Sequence, residues 1–108
     1  MLTAILNSSE AGEENLIAAP SVGAIVVYGI LSCSGSQAAA SGIVFRDGAS
    51  GTILWAEEHS TTPSSTSAPD GKTLFSCSPG TALVIDTGSA THSKYITIFY
   101  NLTGGGED

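Results

Sequence analysis

The stretch that decides the fold is Gly42-Ile43-Val44-Phe45-Arg46-Asp47-Gly48-Ala49-Ser50-Gly51-Thr52-Ile53-Leu54-Trp55. Two short β-prone apolar runs, residues 43–45 and 53–55, flank a linker holding Asp47-Gly48 and Gly51. Runs of this length on either side of an Asp-Gly turn signal a β-hairpin. Asp47 is accounted for as a turn residue, as is Asp70 before Gly71. The hairpin sets the local structure as antiparallel β.

Reading outward, residues 24–33 (Ala-Ile-Val-Val-Tyr-Gly-Ile-Leu-Ser-Cys) form the strongest strand pattern. Strict alternation puts Ile25, Val27 and Leu31 on one face and Val26, Tyr28 and Ile30 on the other. Both faces are apolar, so the strand needs a cover on both sides, from the other sheet of a sandwich or from a partner subunit. Gly29 in its middle marks a bulge or a close backbone approach. Residues 94–102 read as the last strand, with Ile96, Ile98, Tyr100 and Leu102 opposite Tyr95, Thr97, Phe99 and Asn101. Shorter strands are expected over 2–6, 15–18, 42–46, 52–57, 72–77 and 82–86. The Ser/Thr-rich run 59–70, with Pro63 and Pro69, reads as a long exposed loop.

No window carries helical periodicity with caps. Seven to eight short strands with frequent turns predict an all-β protein, an antiparallel, jelly-roll-like β-sandwich, ahead of a small closed barrel. The expected organisation is an N-terminal arm over 1–14, one sandwich domain over 15–103 and a flexible Gly-rich tail over 104–108.

The 108 residues allow one domain with one core. Charged residues make up 12%, about half the usual share, so Ser, Thr, Gly and Asn must supply most of the surface. Ten acids face only Arg46, Lys72 and Lys94, a net charge of -7. That charge excludes the electrostatic footprint of a nucleic-acid binder and does not suit an anionic membrane surface. The longest apolar run, residues 24–31, is strand-sized and too short to span a bilayer as a helix. Residues 1–6 lack a basic region, so no secretory signal is expected and synthesis is assigned to a cytoplasm. In that compartment Cys33 and Cys77 are expected as reduced thiols; a disulfide is the alternative.

The chemistry-bearing residues form no recognisable site. His59 and His92, with Glu57, Glu58 and Asp86, lack the spacing of a metal motif and read as solvated loop or strand-end residues. Glu57 and Glu58 are adjacent on a strand, point to opposite faces and cannot share a proton. The serines include no nucleophile elbow, and His92 near Asp86 is the only faint triad fragment. The Asn7 and Asn101 sequons read as chance matches. No catalytic residue, cofactor or metal is therefore expected, and no enzyme activity. Trp55, Tyr28, Tyr95, Tyr100 and Phe99 sit in strand patterns that core packing explains; a sugar-stacking platform at Trp55 or Tyr95 is the minority alternative.

The order of segments resembles a known class. Asn15-Leu16-Ile17-Ala18-Ala19 leads to Gly23-Ala24-Ile25-Val26-Val27-Tyr28-Gly29-Ile30-Leu31-Ser32, then to the central hairpin. Ser78-Pro79-Gly80-Thr81-Ala82-Leu83-Val84-Ile85 and Tyr95-Ile96-Thr97-Ile98-Phe99-Tyr100 follow. This pattern of strands and glycine turns resembles the small all-β accessory virion proteins of tailed bacteriophages. The resemblance implies a capsid decoration (cement) protein on the outer surface of a phage head. Its partner would be the major capsid protein or another virion protein, and a homotrimer is favoured. A head- or tail-fibre component and a carbohydrate-binding module are the alternatives. Ile25, Val27, Tyr28, Ile30 and Trp55 are the residues expected to form the interface. In a decoration protein the arm over 1–14 could reach a neighbour by strand addition; the alternative is a first strand plus a loop.

Overall fold

The computed structural model describes residues 1–34, 42–58, 64–67, 72–88 and 93–103. Their strands are β1 (Leu2–Ser8), β2 (Glu13–Ile17), β3 (Ala24–Ser34), β4 (Gly42–Asp47), β5 (Ile53–Glu58), β6 (Ser64–Ser67), β7 (Phe75–Ser76), β8 (Leu83–Asp86) and β9 (Lys94–Thr103). All neighbouring strands pair antiparallel. One sheet has the order β1-β9-β3-β6, with β7 also paired to β3; the other has the order β2-β8-β4-β5. Each sheet therefore interleaves strands from the beginning, the end and the middle of the chain. That is the winding of two Greek keys into a jelly roll, as the strand pattern predicted. The radius of gyration, 13.3 Å, matches the value of about 13 Å expected for one domain of this length.

Three expected boundaries move. The first strand, expected over 2–6 within the arm, extends to Ser8 and pairs with β9 over seven residues. The expected loop over 59–70 contains β6, whose Ser and Thr residues pair with the edge of β3. Polar β-branched and hydroxyl side chains suit an edge strand even though they carry no apolar alternation. The strand expected over 72–77 contracts to Phe75–Ser76.

The core lies between the sheets. Ile25, Val27, Ile30, Ile96 and Ile98 from the first sheet meet Ile17, Ile43, Phe45, Leu83 and Ile85 from the second, with Cys77 beside them. The β3–β9 ladder carries a bulge: Val27 pairs with Tyr100 and Gly29 with Phe99, leaving Tyr28 as the extra residue. A bulge reverses the alternation beyond it. Ile30 therefore joins Ile25 and Val27 inside, at 2% exposure, while Leu31 turns out to 43%. This corrects the strict alternation expected for residues 24–33. At Gly29 a Cβ would stand 3.4 Å from Phe99 Cδ2 and 3.5 Å from the Thr66 carbonyl, the close approach its position suggested.

The β4–β5 hairpin closes on a turn held by Asp47 N–H donating to Thr52 O (2.8 Å) and Gly51 N–H donating to Gly48 O (3.0 Å). Gly48 adopts φ +83°, and a Cβ on Gly51 would lie 1.9 Å from the Asp47 carbonyl oxygen. The Asp47 carboxylate accepts from Ser78 N–H (2.8 Å) and Ser78 Oγ (2.6 Å), tying this turn to the one before β8.

Two seams join the sheets at their edges. Where β5 approaches β7, Phe75 stacks between Phe45 (6.1 Å) and Trp55 (5.9 Å). At the other edge Lys94, with no exposed side-chain surface, extends from β9 toward β2. Its Nζ lies 3.4 Å from Glu14 Oε1 and donates to the Glu10 carbonyl. Ser8 Oγ donates to Glu14 at 2.8 Å. A charge this buried is tolerated because its donors have oxygen partners.

Gly51→Ala is expected to cost about 2 kcal/mol or more, because backbone must move to admit the methyl group. Gly42→Ala, with no atom within 4 Å of its Cβ position, is expected to stay within about 0.5 kcal/mol of the parent. Urea unfolding of the pair measures the contrast. At the polar seam, Lys94→Met is expected to cost about 2–4 kcal/mol, since it leaves Glu14 without its cation. Lys94→Met/Glu14→Leu should regain most of that loss in the same assay.

Candidate binding surface

The outer face of the first sheet is built from the outward residues of four strands. One row across the ladder runs Ile5–Thr97–Leu31–Ser65, and the next runs Asn7–Tyr95–Cys33. Ile5 is 68% exposed, Tyr95 45% and Leu31 43%, so large apolar groups stand open here on adjoining rows. Between them lies a shallow depression of about 380 Å³ lined by Asn7, Leu31, Ser32, Cys33, Ser65, Tyr95 and Thr97. None of these described lining residues is Asp, Glu, Lys, Arg or His. Ser32 belongs mainly to the interior, where its Oγ donates to Glu57 Oε2 at 3.1 Å across the sandwich.

The outer face of the second sheet is different in kind. Arg46 donates to Asp86 Oδ2 (3.0 Å) and to the Gly51 carbonyl (2.9 Å), and lies 3.6 Å from Glu13. Glu13 in turn accepts from Ser50 N–H at 2.9 Å. The Asp86 carboxyl is held below its ordinary range, first by the Gly88 N–H donating to it and then by Arg46. This face spends its charges on internal pairs around the β4–β5 turn.

The residues expected at an interface are distributed otherwise. Ile25, Val27 and Ile30 are core residues, which corrects their assignment to a contact surface: the cover they need is the second sheet. Tyr28 sits half-buried at the bulge. Trp55 packs against the core through Phe75. Asp86 is engaged with Arg46 and Gly88, and Glu57 with Ser32. His59, His92 and Asp70 lie outside the described residues, as does the Glu58 side chain. Among the described residues no three His, Cys, Asp or Glu side chains cluster to hold a metal ion. The residues missed at the surface are Ile5 and Leu31. Ile5 was visible as an apolar residue out of phase with Ala4 and Leu6; Leu31 was hidden by the bulge.

Both cysteines are free thiols. Cys33 lines the depression, whereas Cys77 is buried and its thiol is pushed up from 9.0 to about 12, by burial and then by the negative charge of Asp47.

No family model matches the chain, and no curated protein or solved structure is significantly similar to it.

Because Cys77 holds its proton more tightly in the folded state than in the unfolded chain, its contribution to stability is complete below pH 9. It is lost progressively as the pH rises toward about 12. In Cys77→Ala that part of the alkaline loss should vanish. Urea midpoints measured between pH 8 and 11 should fall more steeply for the parent than for the variant. Parallel curves would refute the assignment.

Proposed function

We propose that this chain is a structural virion protein that decorates the outer surface of a phage head, binding a capsid lattice and carrying out no reaction. The observation that carries the reading is the outer face of the β1-β9-β3-β6 sheet, uncharged and partly apolar among its described residues, on a small jelly roll whose own core is already closed. Jelly rolls recur in viral shells, where stacked sheets make a stiff block that docks through its faces and edges. The resemblance of the segment order to that of phage accessory proteins supports the same reading. The partner is the major capsid protein, and assembly as a trimer at a symmetry axis multiplies weak contacts into firm attachment.

The purified protein is expected to co-sediment with expanded heads of the phage that encodes it, and to be found by mass spectrometry in purified virions. A protein absent from virions and unable to associate with heads ends the proposal. Copy number separates the same-class rival: a decoration protein is present at many copies over the shell, a fibre component at few. Sedimentation equilibrium reads the trimer as three times the 10.8 kDa chain mass.

A further inference from the structure

We propose that the depression around Tyr95 is a binding site for a neutral saccharide. The proposal concerns a second activity of the same sheet face and does not depend on attachment to a capsid.

Three observations converge. The first is the platform. Tyr95 is an exposed aromatic on β9, with Asn7 and Cys33 as its cross-strand neighbours. An open ring among shorter side chains presents a flat apolar surface, the complement of the C–H face of a pyranose, and carries a hydroxyl at its tip. The strand beneath is held on both sides, by β1 and by β3, so the ring is mounted on a paired sheet rather than a loop.

The second is the polar complement. The Asn7 amide offers two donors and an acceptor, and the Ser65 and Thr97 hydroxyls each donate and accept. Sugar hydroxyls need this mixture, since each of them both gives and takes a hydrogen bond. Leu31 adds apolar lining. A few polar groups converging on a mostly apolar hollow is the usual make-up of a small-ligand site, and about 380 Å³ lies in the range of such sites.

The third is charge. No ionic side chain is among the described lining residues. Arg46 is paired on the opposite sheet, and Lys94 points into the sandwich. None of these described lining residues compensates a carboxylate or sulfate, and the net charge of -7 repels anions. The ligand class is therefore an uncharged polyhydroxyl ring. Trp55, the other aromatic considered for this role, is occupied by Phe75.

Cys33 provides the readout, because it lines the hollow while Cys77 is buried. The full chain is alkylated with iodoacetamide in the presence of maltotetraose, cellotetraose or chitotetraose, with tetragalacturonate as the charged comparator. Peptide mass spectrometry follows Cys33. With a sugar at ten times its Kd, the rate at Cys33 should fall about tenfold. At least one neutral sugar should give this protection and the charged one should not. Tyr95→Ala should abolish the protection and Tyr95→Phe retain most of it; Asn7→Ala weakens it independently. Circular dichroism establishes that each variant is folded. No protection by any neutral sugar, protection that survives Tyr95→Ala in the folded variant, or equal protection by tetragalacturonate would overturn the proposal. Association with phage heads is read in a separate assay, so either reading can fail alone.

Discussion

Everything in this molecule depends on the antiparallel ladder between β3 and β9 and on the single bulge it contains. The ladder pairs Ala24 through Ser34 with Thr103 back to Lys94 at the centre of the first sheet. The extra residue, Tyr28, decides which side chains beyond it face the second sheet. With the bulge, Ile30 lies inside beside Ile96 and Ile98, each fully or almost fully buried. Burial of one such side chain is worth about 1.5–3 kcal/mol, so a slip that exchanged Ile30 for Leu31 would disturb the centre of the core. The bulge also assembles the outer surface, because it is what sets Leu31 in the same row as Thr97 and Ile5.

The sequence carried the strands well because hydrophobic alternation and turn residues are local signals. The hairpin from Gly42 to Trp55, the last strand and the first were all legible in that way. Three features were not. The reversal of phase at Tyr28 requires knowing the partner strand, since a bulge is a mismatch between two ladders; Gly29 gave only its approximate place. The burial of Lys94 is likewise non-local. It stands in phase with Ile96 and Ile98, so alternation alone points it inward, but only the positions of Glu14, Ser8 and the Glu10 carbonyl make that tolerable. The edge strand β6 was hidden for a third reason: its stability comes from backbone pairing with β3, and its Ser/Thr composition also suits a loop.

Charge is divided between the surfaces by the same geometry. Of the three cations in the chain, two are committed to ion pairs: Arg46 to Asp86 and Glu13 on one sheet, and Lys94 to the seam between sheets. The outer face of the first sheet is left without ion pairs among its described lining residues. The hollow at Tyr95 and the exposed Ile5 belong to this neutral face. A neutral surface on an acidic protein has little long-range attraction for partners, so recognition there must come from close fit, stacking and hydrogen bonds.

Among the described residues the neutral face is continuous with an edge strand that no further strand pairs. β1 ends the first sheet, and its residues Leu2–Ser8 include no charge and no proline. Leu2 is 45% exposed and Ile5 68%. Edge strands are commonly guarded by lysines, prolines or bulges, because unpaired N–H and C=O groups invite another strand. β1 has none of these guards. The restraint that remains is the protein's overall charge: copies each carrying -7 repel one another, and the repulsion reaches only about 10 Å at 0.1 M salt. Acidity can therefore keep free copies apart in dilute solution without closing the edge to a partner already held at contact distance. An unguarded edge beside a neutral face is a hazard in a free monomer. Against a fixed lattice, the setting proposed above, it would be a surface kept available for close docking.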